Sequence, residues 1–197
     1  SADIGQSLRR CICANHRRRI FRMIARLAIV GLFVIALIAG SVMYYLQVYA
    51  YYDDVSAQIE DVQMVSVATG EPEGILFENL KAIDSDSSPL RFRSCFTTDL
   101  SQAPLTDTYL ISEGAEPRVS SGWSDCFDAA QIGEDLSTGS AIGFMGQENI
   151  QYGIDRVIAV YSDGRAFSWH QINFCSEVVF DGNPVPPECP PAPERLQ

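Results

Sequence analysis

Residues 27–52 read LAIVGLFVIALIAGSVMYYLQVYAYY and carry no charged side chain. Arg26 precedes them and Asp53 follows. A helix needs roughly 20 apolar residues to cross the hydrocarbon core of a bilayer. In water such a stretch would be an exposed apolar rod, so a membrane span is expected at 27–52. That span constrains which compartment each flank sees and where partners touch.

The formal net charge of -11 hides a split across this span. Residues 1–26 hold seven arginines against Asp3 alone, a net of +6. Residues 53–197 hold 7 basic and 24 acidic groups, a net of -17. Lys and Arg concentrate on the cytoplasmic flank of membrane helices. The N-terminus is therefore expected in the cytoplasm and the acidic segment outside the inner membrane. An acidic surface repels phosphates, which argues against a nucleic-acid partner.

A cleaved signal peptide is the rival reading. Its apolar run would be about 7–15 residues, ending in small residues. Here the run is longer and a band of tyrosines follows it, so retention is expected, with Ala39-Gly40-Ser41 the nearest cleavage candidate. Residues 1–26 read as a basic cytoplasmic arm whose arginines pair with anionic headgroups. Cys11, Cys13 and His16 are one ligand short of a closed tetrahedral zinc site. Met23 would also serve as a translation start.

Within the span, Ala36, Ala39 and Gly40 make a small-residue patch. Small-xxx-small spacing lets a second helix approach closely. Such residues are also simply frequent in membrane spans, so the pattern has a bland explanation beside the functional one. Tyr44, Tyr45, Tyr49, Tyr51 and Tyr52 suit the headgroup layer. Ala36, Ala39 and Gly40, with Tyr44 and Tyr45, form the candidate helix-packing interface.

Residues 53–181 read as one α+β domain with enough chain for a real core. Strands are expected within 61–69, 75–83, 90–97, 108–111 and 141–145, with a turn at 70–74 and a polar loop at 84–89. Residues 90–97 alternate: Leu90, Phe92, Ser94 and Phe96 against Arg91, Arg93 and Cys95, the mark of a half-buried strand. A short helix capped by Ser124 or Asp125 would run to about Leu136 and end at Gly139. Residues 156–161 and 166–172 flank Ser162-Asp163-Gly164-Arg165. Asp-Gly there predicts a type I′ hairpin at the core of the domain. Residues 182–197 form a proline-rich, extended tail.

Four cysteines lie beyond the span: Cys95, Cys126, Cys175 and Cys189. An even count in an oxidising compartment suggests two disulfides. Three pairings are open; sequence proximity favours Cys95–Cys126 and Cys175–Cys189. His170 is the one histidine beyond the span, but a general base needs a partner and a pocket. Asp84-Ser85-Asp86 lacks the glycine and glutamate of a calcium loop. Gly143, Gly146 and Gly153 match no phosphate-cradling motif. No catalytic, cofactor or metal site is expected.

The runs 43–52 (MYYLQVYAYY), 87–96 (SSPLRFRSCF) and 155–171 resemble an uncharacterised family of single-pass bacterial inner-membrane proteins. The resemblance covers residues 23–172, leaving the basic arm and the tail outside. It implies no established activity. Some members carry a histidine-kinase label, which this chain, without ATP-binding glycine motifs, does not support.

The expected architecture is a single transmembrane helix followed by an α+β domain with an antiparallel β-sheet. The expected role is a non-catalytic accessory subunit of a larger inner-membrane, energy-transducing complex, photosynthetic or respiratory. Its partners would be an integral-membrane protein complex and membrane lipids. An assembly factor and a periplasmic ligand-binding or sensor module are the alternatives.

Overall fold

The computed structural model describes residues 2–120, 124–181 and 183–193. Side chains are described from residue 23 onward, except Ala50 and Phe180. The side chains of Cys11, Cys13 and His16 therefore lie outside the described residues. The chain divides into two compact units, residues 1–47 and 48–197.

The first unit is one helix, α1 (Ala2–Tyr45). No proline interrupts it, and straight-chain or small residues fill most of it. It begins at Ala2, so the basic arm continues the helix rather than forming a separate element. A π-helical segment, Leu46–Ala50, follows. Met23–Tyr49 is a 27-residue stretch long and apolar enough to cross a membrane. At 1.5 Å per residue it spans about 40 Å, more than a bilayer core requires.

The second unit begins at Val48, a few residues before the expected boundary. Its strands are β1 (Asp53–Asp54), β2 (Val62–Val65), β3 (Pro72–Ile75), β4 (Glu78–Asp84), β5 (Arg93–Thr97), β6 (Ala141–Gln151), β7 (Ile154–Tyr161) and β8 (Arg165–Ile172). Its helices are α2 (Gln102–Thr108), α3 (Ala129–Thr138) and α4 (Phe174–Phe180). Six strands form one antiparallel sheet in the order β1-β4-β5-β8-β7-β6, and β2 pairs with β3 in a separate hairpin. The expected class, one long apolar helix plus an α+β domain, is the observed one.

β5, β8 and β7 lie at the centre and are buried on both faces. One face carries Phe96, Phe144, Ile158, Val160 and Ala166 against Val62, Met64 and Ile75 of the hairpin and Leu105 of α2. The other carries Cys95, Val157, Ala159, Tyr161, Phe167 and Trp169 against Phe127 and Ile132. Tyr161 also donates its hydroxyl hydrogen bond to Asp135 of α3 at 2.7 Å. Residues 109–112 stitch the hairpin to the sheet. Leu110 donates to the Val65 carbonyl, and Met145 donates to that of Leu110. This seam blunts the free edge of β6.

Several boundaries differ from the sequence pattern for local reasons. Residues 75–83 divide because Leu76 and Phe77 turn the chain between β3 and β4, and Asn79 sits at φ 54 where the register shifts. Pro72, placed in a turn by pattern, opens β3. Only bridges at Tyr109 and Ile111 remain of the expected strand at 108–111, because α2 runs to Thr108. Strand β5 starts at Arg93, since Pro89–Arg91 forms a 3-10 turn beneath Ser88. The face holding Arg93 and Cys95 is buried too, so β5 is not half-exposed. The α3 cap is Asp128, which accepts from the Ala130 and Gln131 amides. Cys126 and Phe127 are committed to β5 and the core, which delays the helix. Gly139, at φ 77, ends it as expected. Asn173 caps α4, an element for which the sequence pattern gave no expectation beyond the strand end at 172.

The β7–β8 turn is not type I′. Among its residues only Gly164 has positive φ, 85°, and its amide donates to the Tyr161 carbonyl at 3.1 Å. This is a three-residue turn closed by a left-handed glycine. A Cβ on Gly164 would stand 2.6 Å from the Thr98 carbonyl oxygen, whereas one on Gly139 would meet open space.

The disulfides join Cys95 to Cys126 and Cys175 to Cys189, 31 and 14 residues apart. On the loop-entropy account such closures stabilise by about 3–4 kcal/mol. Cys175 lies in α4, so the second bond ties the tail to the domain. Ala192, three residues on, is buried.

Two outcomes follow for the full chain in detergent micelles. Gly164→Ala should lose about 1–3 kcal/mol in urea unfolding followed by near-UV circular dichroism, and more than Gly139→Ala loses, because only the former adds a clash to the strained φ. Replacing Cys175 and Cys189 together by serine should cost no more than about 3 kcal/mol. Hydrogen exchange should then speed up in 183–193 while β5, β7 and β8 stay protected.

Candidate functional site: an arginine–histidine cluster at one end of the sheet

Antiparallel register brings the start of β7 beside the end of β8. Arg156 pairs across from His170, and Arg93 of β5 pairs across from Trp169. Strands alternate their side chains, so Arg156 and His170 share one face while Arg93 takes the other. The 3-10 turn at Pro89 and the ring of Phe92 cover the first face. Phe92 stacks on His170 with ring centroids 4.7 Å apart, and the Arg156 guanidinium lies 4.2 Å from the Phe92 centroid.

The hydrogen bonds assign the tautomer of His170. Arg156 Nε can only donate, and it does so to His170 Nε2 at 3.0 Å. The ring proton is therefore on Nδ1, 2.6 Å from the Pro89 carbonyl oxygen that accepts it. Burial, followed by the nearby Arg156, pushes the imidazole pKa down to about 4. His170 is neutral at physiological pH.

Arg93 is 4 % exposed and holds a loop in place on the opposite face. Its guanidinium donates to the carbonyls of Arg118, Leu90, Phe92 and Val119 and lies over the Phe127 ring. Burial lowers its pKa to about 10, which still leaves it charged. Asp84, half-buried at the end of β4, is shifted upward by burial, an effect opposed by the Ser85 amide and by Arg156. Among the described residues the ion pair within 4 Å is Arg165–Asp163, at the hairpin tip. Carbonyls and aromatic faces, not carboxylates, hold the cluster.

The polar groups of the cluster bond one another and the backbone. The Nε2 lone pair of His170 is spent on Arg156, the residue is 5 % exposed, and no carboxylate bonds it among the described residues. Asp155, buried, accepts from the Asn149 amide and from Asn173 Nδ2, pinning the β6–β7 turn to the α4 cap. Among the described residues, no three His, Cys, Asp or Glu side chains cluster as metal ligands. Ser85 and Ser87 hydroxyls bond each other at 2.8 Å in the 84–89 loop. Gly143 lies under Ala115, Gly146 against Arg156 and Gly153 under Ser176, so each serves close packing. One recess of about 230 Å³ is lined by Asp54, Ser56, Lys81 and Asp125. An open groove of about 450 Å³ lies beside Ile111, Leu136 and Gly143.

The helix residues lie elsewhere. Ala36, Ala39, Gly40, Tyr44 and Tyr45 are all exposed on α1, and a Cβ on Gly40 would meet nothing within 4 Å. Sequence reasoning did not bring together Asp84, Phe92, Arg93, Arg156 and His170. The one available signal was arginine inside otherwise apolar strands.

The neutral His170 has a measurable consequence. In the unfolded chain it binds a proton below about pH 6.5, whereas the folded chain resists until about pH 4. The unfolded state binds more protons in that window, so stability should fall as pH drops through it, by roughly 3 kcal/mol in full. His170→Gln should remove this slope, and urea midpoints between pH 7 and pH 4 measure it.

Residues 62–190 match a family of unknown function, DUF6446. No curated protein matches the chain, and no solved structure does. The matched region starts at the first residue of β2 and ends just past Cys189. It therefore takes in most of the tail that the sequence resemblance had left outside, and it excludes the apolar span that the resemblance had included. Both disulfides and all of Asp84, Arg93, Arg156 and His170 fall inside it. The chain belongs to the DUF6446 family of unknown function.

Proposed function

We propose that this protein is a non-catalytic accessory subunit that docks through α1 onto a larger complex of a bacterial inner membrane. The observation that carries this reading is Met23–Tyr49, none of which is buried within the chain. Lipid or another membrane helix must cover it, since large exposed apolar surfaces mark such contacts. Ala36 and Gly40 stand one turn apart and offer a close approach to a neighbour. The domain supports a binding role rather than catalysis, because its histidine and buried arginines are consumed by structural bonds.

The orientation rests on two separate features. Seven arginines precede the span, which favours a cytoplasmic N-terminus. Both disulfides follow it, which suits a periplasmic domain. Since the interior is filled by large side chains, a sensor with an internal ligand pocket is the weaker reading. The host on this reading is an energy-transducing complex, photosynthetic or respiratory.

Gentle solubilisation followed by affinity purification and native gel electrophoresis tests it. The protein should comigrate with a multi-subunit particle, and Ala36→Leu with Gly40→Leu should cut its recovery there by about fivefold or more. Recovery solely as a free monomer overturns the subunit reading. Presence on precursors and absence from the finished particle identifies an assembly factor instead.

A further inference from the structure

The geometry points to a binding site for the phosphate of an anionic glycerophospholipid at Arg91, between the rings of Tyr51 and Tyr52. The Arg91 guanidinium lies 5.8 Å from the Tyr51 centroid and 5.4 Å from that of Tyr52. Its Nη1 is shielded from water and has no hydrogen-bond partner. Native structures rarely leave a buried donor unmatched, and a charged one least of all. Arg93 shows the contrast, with its guanidinium matched to four carbonyls. No carboxylate lies within 4 Å of Arg91 among the described residues. Nη1 is therefore left without an acceptor among the described residues, while the side chain as a whole is only half-buried.

Chain connectivity selects the source of that acceptor, and here the inference rests on Met23–Tyr49 being a membrane span. Tyr51 follows Tyr49 by two residues, so their Cα atoms are at most about 7 Å apart. The headgroup layer on each side of a bilayer is about 5–8 Å thick. Tyr51 and the guanidinium that lies over it are thus tethered to the depth at which lipid phosphates lie. Tyrosine rings suit that layer, and a planar guanidinium engages phosphate oxygens through paired N–H donors. Asp53, Asp54 and Asp84 occupy neighbouring strands, so the surroundings are not broadly basic. The site offers one guanidinium with an unmatched Nη1, which fits a single phosphate monoanion better than a polyanion.

The experiment uses the full chain, purified in neutral detergent and stripped of lipid. Phosphatidylglycerol or phosphatidylcholine is added in mixed micelles, and retained lipid is counted by native mass spectrometry. Phosphatidylglycerol should be retained about fivefold better than phosphatidylcholine, the effect of one arginine at an anionic surface. Arg91→Gln should abolish the preference, Arg91→Lys should keep most of it, and Arg165→Gln should leave it unchanged. Equal retention of the two lipids, or an undiminished preference in Arg91→Gln, overturns the proposal. Equal loss in Arg91→Gln and Arg91→Lys also overturns it, because charge is then not what is read. Displacement of the lipid by millimolar inorganic phosphate would assign the site to a soluble anion and overturn the lipid assignment. A chain that stays soluble without detergent refutes the membrane reading itself, an outcome distinct from a micelle-bound chain that ignores headgroup charge.

Discussion

The domain depends on three central strands that are buried on both faces. A sheet covered on one side can leave its other face to water, but β5, β8 and β7 cannot, because Phe96, Ile158 and Val160 point one way and Val157, Phe167 and Trp169 the other. Each face needs its own cover, and neither cover belongs to the six-stranded sheet. On one side it is the β2–β3 hairpin with α2, held by the 109–112 seam. On the other it is α3 and the segment leading to it. The described residues of that segment are fastened by point attachments, the Cys95–Cys126 bond and the Arg93 guanidinium, and α3 itself by the Tyr161 hydroxyl.

This arrangement explains the odd chemistry at the end of the sheet. A buried guanidinium without a carboxylate is costly unless its donors find other acceptors. Arg93 finds the backbone carbonyls of Arg118 and Val119 in the loop it anchors, with those of Leu90 and Phe92 beside its own strand. Arg156 instead uses an imidazole and the face of Phe92. Both solutions keep the charge while fixing non-repetitive backbone, which a hydrophobic residue cannot do. His170 Nε2 is then the acceptor from Arg156.

The elements carrying strong local chemistry were legible in the sequence. The apolar span needs only length and composition. The β7–β8 hairpin announced itself by two β-rich runs about a glycine, although the turn type was misread because Asp163 keeps a negative φ. Disulfide pairing followed proximity. What was hidden depends on long-range pairing. The alternation in 90–97 suggested a wet face, and nothing local says that Cys95 draws a loop over it. Arg156 and His170 are 14 residues apart and meet only through register. Arg91 and Tyr51 are 40 apart and meet only through the 3-10 turn. Helix α4 was missed because the Asn173 cap follows a strand without a break.

Among the four cysteines beyond the apolar span, each bond joins neighbours in sequence, 95 with 126 and 175 with 189. A chain entering an oxidising compartment from its N-terminal side presents the first pair before the second exists there. The earliest thiol encountered is thus the native one in both cases. Oxidative maturation can proceed vectorially, without an isomerase to correct crossed linkages. Of the two bonds, the first fastens a cover of the sheet and the second fastens the tail.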